Sequence, residues 1–345
     1  MRTFPVSVYR LGSLSLRWRP RTVALCGVLA LVLAAFAILL LSSGTLSFSA
    51  GDILATLLGQ GDNAKAERVI LRIRLPRLLT AMLVGGALGM AGSIFQSISR
   101  NALGSPDVIG FTTGAATGAI VQIMLLDAGP LETSAAAMIS GVLTAVAVFL
   151  LARKGRSTGG YRLVLVGIGV GATLSGVNTI LLVSGDLDQA ASAQLWLAGS
   201  LNTRTWSHVA PAAICFALAL PVVILHSRRL TLLEMGDDAA RQLGIDAEYT
   251  RLLMVVAAVA LTAVATAAAG PIAFVALAAP QLARRLSASP DVPIVSAALM
   301  GMVLLLAADL ISQHAPISAH MPVGLTTGLL GGFYLLWLLV RSKAV

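Results

Sequence analysis

The chain has 345 residues, 57% of them hydrophobic and only 11% charged, with a mean hydropathy of +0.89 and a formal net charge of +9. That balance excludes a soluble globular domain and points to an all-α polytopic membrane protein. The basic excess does not signal nucleic acid, because its placement follows membrane sides. Lipid gives the backbone no hydrogen bonds, so long apolar runs without alternation must be helices rather than barrel strands. Ten spans follow in chain order, at 22–42, 78–97, 108–126, 132–152, 161–184, 208–227, 251–269, 271–287, 293–313 and 324–341. The first follows Arg17, Arg19 and Arg21 as a signal peptide would. Its apolar core exceeds the roughly 7–15 residues of a signal core, so it is kept as a span.

Ten spans put both termini on one side, and that side carries 18 of the 24 lysines and arginines. The positive-inside rule makes it the cytoplasm. The expected layout is a basic cytoplasmic N-terminus over 1–21, one transmembrane domain over 22–341 and a cytoplasmic tail over 342–345. The same parity makes the polar segment 228–250 cytoplasmic. It makes the basic segment 65–77, with Lys65, Arg68, Arg72, Arg74 and Arg77, external. Cations concentrated on that side suit an anchor to lipid headgroups, or a dock for an acidic partner or anionic ligand.

Spans two and seven open with the same tripeptide, Arg77-Leu78-Leu79 and Arg251-Leu252-Leu253, and run in opposite directions. This suggests an inverted repeat of spans 2–5 and 7–10. Gly85 with Gly89, Gly110 with Gly114 and Gly118, and Gly324 with Gly328 and Gly332 recur every fourth residue, which lets neighbouring helices approach closely. Pro271 suits the first turn of span eight, and Pro280 should kink that span. Asp309 is the clearest charge inside a span. An ionised aspartate at mid-bilayer costs about 2.5–3.5 kcal/mol, and less about one helical turn below the surface, so Asp309 is expected to serve a structural pairing, with a role in transport as the alternative. Asn178 in span five either faces a polar path or bonds a neighbouring helix.

Only three lysines exist, Lys65, Lys154 and Lys343, and none stands in a phosphate-cradling GxxxxGK[ST] loop. Cys26 and Cys215 fall inside apolar runs, and His314 and His320 share a loop with no thiol or carboxylate beside them, so no metal site is read. No catalytic pairing is visible, and no cofactor is expected. The chain should be no enzyme.

Within 228–251, Leu232, Met235, Ala239 and Leu243 fall at helical spacing. Asp237 and Asp238 suit a helix N-terminus, Arg241 suits the last turn and an i,i+4 pair with Asp237, and Gly244 suits a left-handed cap. Asp246 can cap the next helix. A short helix over about 237–243 is therefore expected outside the lipid, with an apolar stripe for a partner.

The words LLEMGDDAARQLGI (232–245), RLPR (74–77), NALGSPDVIGF (101–111), AGPIAFVALAAPQLARRL (269–286) and LLLAAD (304–309) resemble permease subunits of the iron-siderophore and vitamin B12 ABC importers. The likeness covers roughly 45–340, in matching order. Its wording is nearest to the ferric enterobactin branch. The resemblance implies ten helices and a path for a ferric siderophore such as ferric enterobactin or a similar catecholate. It also implies a second homologous permease (or a second copy), two cytoplasmic ATPase subunits and a periplasmic binding protein. Glu234, Met235, Gly236, Asp237, Asp238, Ala239, Arg241, Leu243 and Gly244 would form the ATPase-coupling socket. Arg74 and Arg77 would receive acidic residues of the binding protein, and Ser157 and Thr158 would lie at a cytoplasmic gate. The further docking arginine of the B12 importers is missing, since 309–314 reads DLISQH. A vitamin B12 or haem importer of the same fold is the near alternative. A proton-coupled secondary transporter is the distant one, and it would need acidic relays in several spans.

Overall fold

The computed structural model describes residues 7–11, 14–44, 46–60, 63–153, 160–314 and 321–341. Ser157 and Thr158 lie outside the described residues. After a small antiparallel hairpin, β1 (Ser7–Leu11) and β2 (Leu14–Trp18), the described chain is helical. The hairpin is the one departure from the expected all-α reading.

The long helices follow the expected spans: α1 (Pro20–Ser42), then two short helices α2 (Ala50–Leu57) and α3 (Ala64–Val69), then α4 (Leu75–Ser99), α5 (Phe111–Leu126), α6 (Pro130–Ala152) and α7 (Gly160–Ser184). The second half runs α8 (Leu187–Leu197), α9 (Trp206–Leu233), α10 (Asp237–Gln242), α11 (Ala247–Ala269), α12 (Val275–Ser287), α13 (Ile294–His314) and α14 (Val323–Arg341). Among the described residues seven helical runs are long and apolar enough to cross a membrane, and α5 and the apolar part of α14 are shorter. α3 and α4 join into one run, Ala64–Ser99, through a π-helical turn at Ile70–Arg74. Pro76 explains the wide turn. Its ring would collide with the Arg72 carbonyl four residues back, and one extra residue per turn relieves the clash.

Span eight is corrected. Only Val275–Ser287 is helical, 13 residues, so α12 is about 20 Å long against a hydrocarbon core of about 30 Å. Pro271 is therefore not in the first turn. Gly270 closes α11 with φ 73° and ψ −176°, a conformation essentially confined to glycine, and so turns the chain out of the helix before Pro271. The helix restarts after Phe274, at φ 76°.

The first half breaks at the matching place. α4 ends at Arg100 (φ 50°), a 3-10 turn covers Pro106–Ile109, and Gly110 (φ 72°) opens α5. The packing repeats too: α4 lies against α13 as α11 lies against α6, and α5 lies on α6 as α12 lies on α13. This is the inverted repeat that the shared tripeptide suggested.

Glycine sets the closest contacts. A Cβ at Gly85 or Gly89 would run into the Gly301 or Ala297 carbonyl of α13, and one at Gly92 into the Ala276 carbonyl of α12. Gly114 and Gly118 meet Thr144 and Ala136 of α6 in the same way. Gly324 meets the Ala198 carbonyl, but Gly328 and Gly332, like Gly169 and Gly176 of α7, have nothing of this chain within 4 Å. α4 is the most enclosed long helix, and its neighbours α11, α12 and α13 form one block around it. Asn178 Nδ2 donates to the Thr113 carbonyl of α5 at 3.4 Å, so it bonds a neighbouring helix.

Candidate functional site

α9 continues six residues beyond the expected span and stops at Leu233. The stop is a turn at Met235–Gly236. Gly236 has φ 114° and ψ 153°, a region closed to residues with a Cβ. α10 then starts at Asp237, with Asp237 and Asp238 at its positive end and Arg241 in its last turn. It closes by a Schellman motif. Gly244 N–H donates to the Arg241 carbonyl and Ile245 N–H to the Ala240 carbonyl, with Gly244 at φ 79°. The Asp246 side chain accepts from Tyr249 N–H and caps α11. The cap residues stand as the sequence implied.

The turn at Gly236 divides the segment into two faces, and the expected single stripe does not form. Leu232 belongs to α9 and Met235 to the turn, Ala239 lies in α10 and is half-buried, and Leu243 ends α10. Met235 (67% exposed), Asp238 (96%, side chain) and Leu243 (59%) face outward with Arg241, while Ala240 is fully buried. The expected Asp237–Arg241 pair is also corrected. Arg241 stands 3.7 Å from Asp238 instead, because Asp237 faces the protein.

There Asp237 meets two arginines. Its Oδ1 accepts from Arg100 Nη2 at 2.7 Å, and both its oxygens accept from Arg251 Nη2 at 2.8 Å. Arg251 is only 2% exposed and also donates to Glu248 at 2.6 Å. Glu234 accepts from Arg284 of α12 at 2.6 Å. Between these groups and the turn after α4 lies a cavity of about 390 Å³, lined by Gln96, Arg100, Glu234, Gln281 and Arg284 among others. Arg100, Arg251, Glu248 and Arg284 were not among the expected site residues. Their signal in the sequence was weak: each is a charge at the end of an apolar run, which also fits simple side-marking.

The basic stretch at the opposite end is arranged differently from expectation. Arg74 turns inward and donates to the Leu41 carbonyl at 2.6 Å and to the Leu46 carbonyl, closing the end of α1, with its guanidinium 5.2 Å from the centre of the Phe48 ring. Arg77 donates to both oxygens of Asp309, at 3.2 and 2.6 Å, and Asp309 also accepts from Gln313. Asp309 is 1% exposed, so its pairing role is structural in this state. The cations that face outward here are Lys65, Arg68 and Arg72. Among the described residues no three histidine, cysteine or acidic side chains are grouped to hold a metal.

The two ends hold the sets that span parity assigned to opposite sides. One has Arg100, Glu234, Asp237, Arg251 and Arg284, together with an Arg19–Asp291 pair at 2.8 Å. The other has Arg74, Arg77 and Asp309, with Trp206 Nε1 donating to the Leu71 carbonyl.

Comparison with known proteins agrees with this architecture. The chain is 46% identical over 304 residues to the ferric enterobactin transport system permease protein FepG of Escherichia coli (strain K12), covering 88% of this chain and 91% of that one. It is 35% identical to the hemin transport system permease protein HmuU of Yersinia pestis, over 95% and 98% of the two chains. A solved inward-facing metal-chelate type ABC transporter superposes with a TM-score of 0.82 at 27% identity, over 92% of this chain and 99% of that one. The FecCD transport family matches residues 29–341. The chain belongs to the FecCD transport family of ABC importer permeases.

Proposed function

We propose that the chain is the membrane permease of an ATP-driven importer in the cytoplasmic membrane of its cell, and that its cargo is a ferric siderophore, ferric enterobactin or a similar catecholate. The observation that carries the cargo is the 46% identity to the ferric enterobactin permease across nearly the whole of both chains. A chelate keeps its iron wrapped, so the path needs no iron ligands of its own.

The partners follow from the surfaces. Met235 in the turn before α10 and Leu243 at its end, large apolar side chains exposed between spans, give an ATPase subunit something to grip. The nine residues from Glu234 to Gly244 named above are the socket, divided between a gripping face and an anchoring face. The basic stretch at the other end receives the acidic face of a binding protein. Lys65, Arg68 and Arg72 present the charge, while Arg74 and Arg77 hold the ridge that carries them. A second permease packs on α7 and α14, where Gly169, Gly176, Gly328 and Gly332 leave backbone uncovered within one chain.

Uptake by a strain deleted for this gene and complemented with it tests the cargo, with radio-iron supplied as ferric enterobactin, a ferric hydroxamate or haem and radio-cobalt supplied as cobalamin, each offered separately. Complementation for enterobactin alone is the expected result. Complementation for haem alone would replace the cargo by that of the hemin relative.

A further inference from the structure

We propose that Asp237 is the joint that passes movement of the coupling segment into the transmembrane block, by holding Arg100 of the α4 end and Arg251 of α11 with one carboxylate. This rests on the reading of 234–244 as the ATPase socket and assigns a task inside it.

Three observations carry the inference. First, Asp237 is the first residue of α10, yet its side chain faces away from the gripping face, at 19% exposure against 96% for Asp238. A residue that only served to bind a partner would stand beside Asp238. Second, α10 packs on α9 and α11, and the Arg100–Asp237 bond at 2.7 Å ties it directly to the end of α4. α4 is the helix on which α11, α12 and α13 are all packed, with glycines that bring its backbone against the backbones of α12 and α13. Displacing its end therefore displaces a block, not a single helix. Third, Arg251 is 2% exposed and bonded to both Asp237 oxygens and to Glu248, so the joint is firm on the α11 side and open on the α4 side, where Arg100 is 43% exposed. The Gly236 turn, whose backbone only glycine adopts readily, lets α10 swing relative to α9 while the carboxylate keeps its hold. The 390 Å³ cavity beside Arg100 leaves room for that end of α4 to move. Asp237 is thus a positioning residue that acts through the two arginines.

The test uses the complete importer in proteoliposomes, with Cys26 and Cys215 replaced by alanine. Single cysteines are introduced in turn by Gln242→Cys on α10 and Leu103→Cys beyond α4. Trapping with ATP and vanadate should change the labelling rate at both positions by about fivefold or more, the scale of coupling between linked sites. In Asp237→Asn the change should persist at 242 and vanish at 103, with the ATPases still bound, and Asp237→Glu should restore it. Arg100→Gln, at the surface and without risk to the buried Arg251, should reproduce the Asn result. An Asp237→Asn protein that still transmits to 103, or loses the change at 242 as well, would overturn the joint. Leu243→Asp is the control for the socket and should release the ATPases. If they stay bound and trapping alters nothing at 242, the socket reading falls and takes the joint with it.

Discussion

The two ends of α4 are fastened by the same chemistry in opposite settings. At one end Arg77 holds Asp309, a carboxylate 1% exposed, with Gln313 as a further donor. At the other, Arg100 holds Asp237 with 43% and 19% of the two side chains exposed. Removing one partner of a buried pair strands a charge and costs several kcal/mol, whereas exposed pairs contribute little and exchange easily. The comparison teaches that burial, not the pairing itself, separates a fixed clasp from a working contact. The Arg77 end is closed on a buried carboxylate, and the Arg100 end sits at the surface, where it can shift with Asp237 still bonded.

The largest effect is expected at the clasp. Asp309→Ala should destabilise the detergent-solubilised protein by about 3 kcal/mol, read as a lower unfolding midpoint, because Arg77 is left unpaired. Adding Arg77→Gln should recover much of the loss, and an unshifted midpoint in the single variant would show that the clasp does not hold the end of α4. Next in size, Gly85→Leu should cost about 1–3 kcal/mol by forcing α4 from α13. Gly332→Leu, with open space beside it in this chain, should leave the single chain's melting unchanged and weaken assembly of two permeases, seen by size-exclusion chromatography. A smaller effect is expected at the gripping face, where Leu243→Asp should weaken ATPase retention about tenfold in a pull-down series. Smallest is Asp238→Ala, whose loose surface pair with Arg241 should change the melting midpoint by less than about 0.5 kcal/mol equivalent. A large fall there would mean that the outer face of α10 also serves stability.

Much of the site was legible because its rules are local. Gly244 as a left-handed cap, Asp246 as the next N-cap and a short helix starting at Asp237 all follow from residues within a turn of each other. What failed was direction. The i,i+4 spacing of Asp237 and Arg241 permits a pair, but spacing along one helix says nothing of a buried arginine fourteen residues on or of another at the end of α4. The direction of Arg74 and Arg77 was illegible for the same reason. Both guanidiniums are bonded within the chain, while Lys65, Arg68 and Arg72 of the same basic stretch face outward.

Read alone, the residues show that the chain lives in lipid, where most of its long helices begin and end to within a few residues, and that two halves run in opposite senses. These follow from solvation and helix geometry, which act residue by residue. Packing sets the rest: span eight is a half-length helix, Asp309 closes on Arg77, and Asp237 faces inward to Arg100 and Arg251. Each of these joins residues far apart in the chain. Their energies depend on burial and approach distance, and those exist only once the helices are packed.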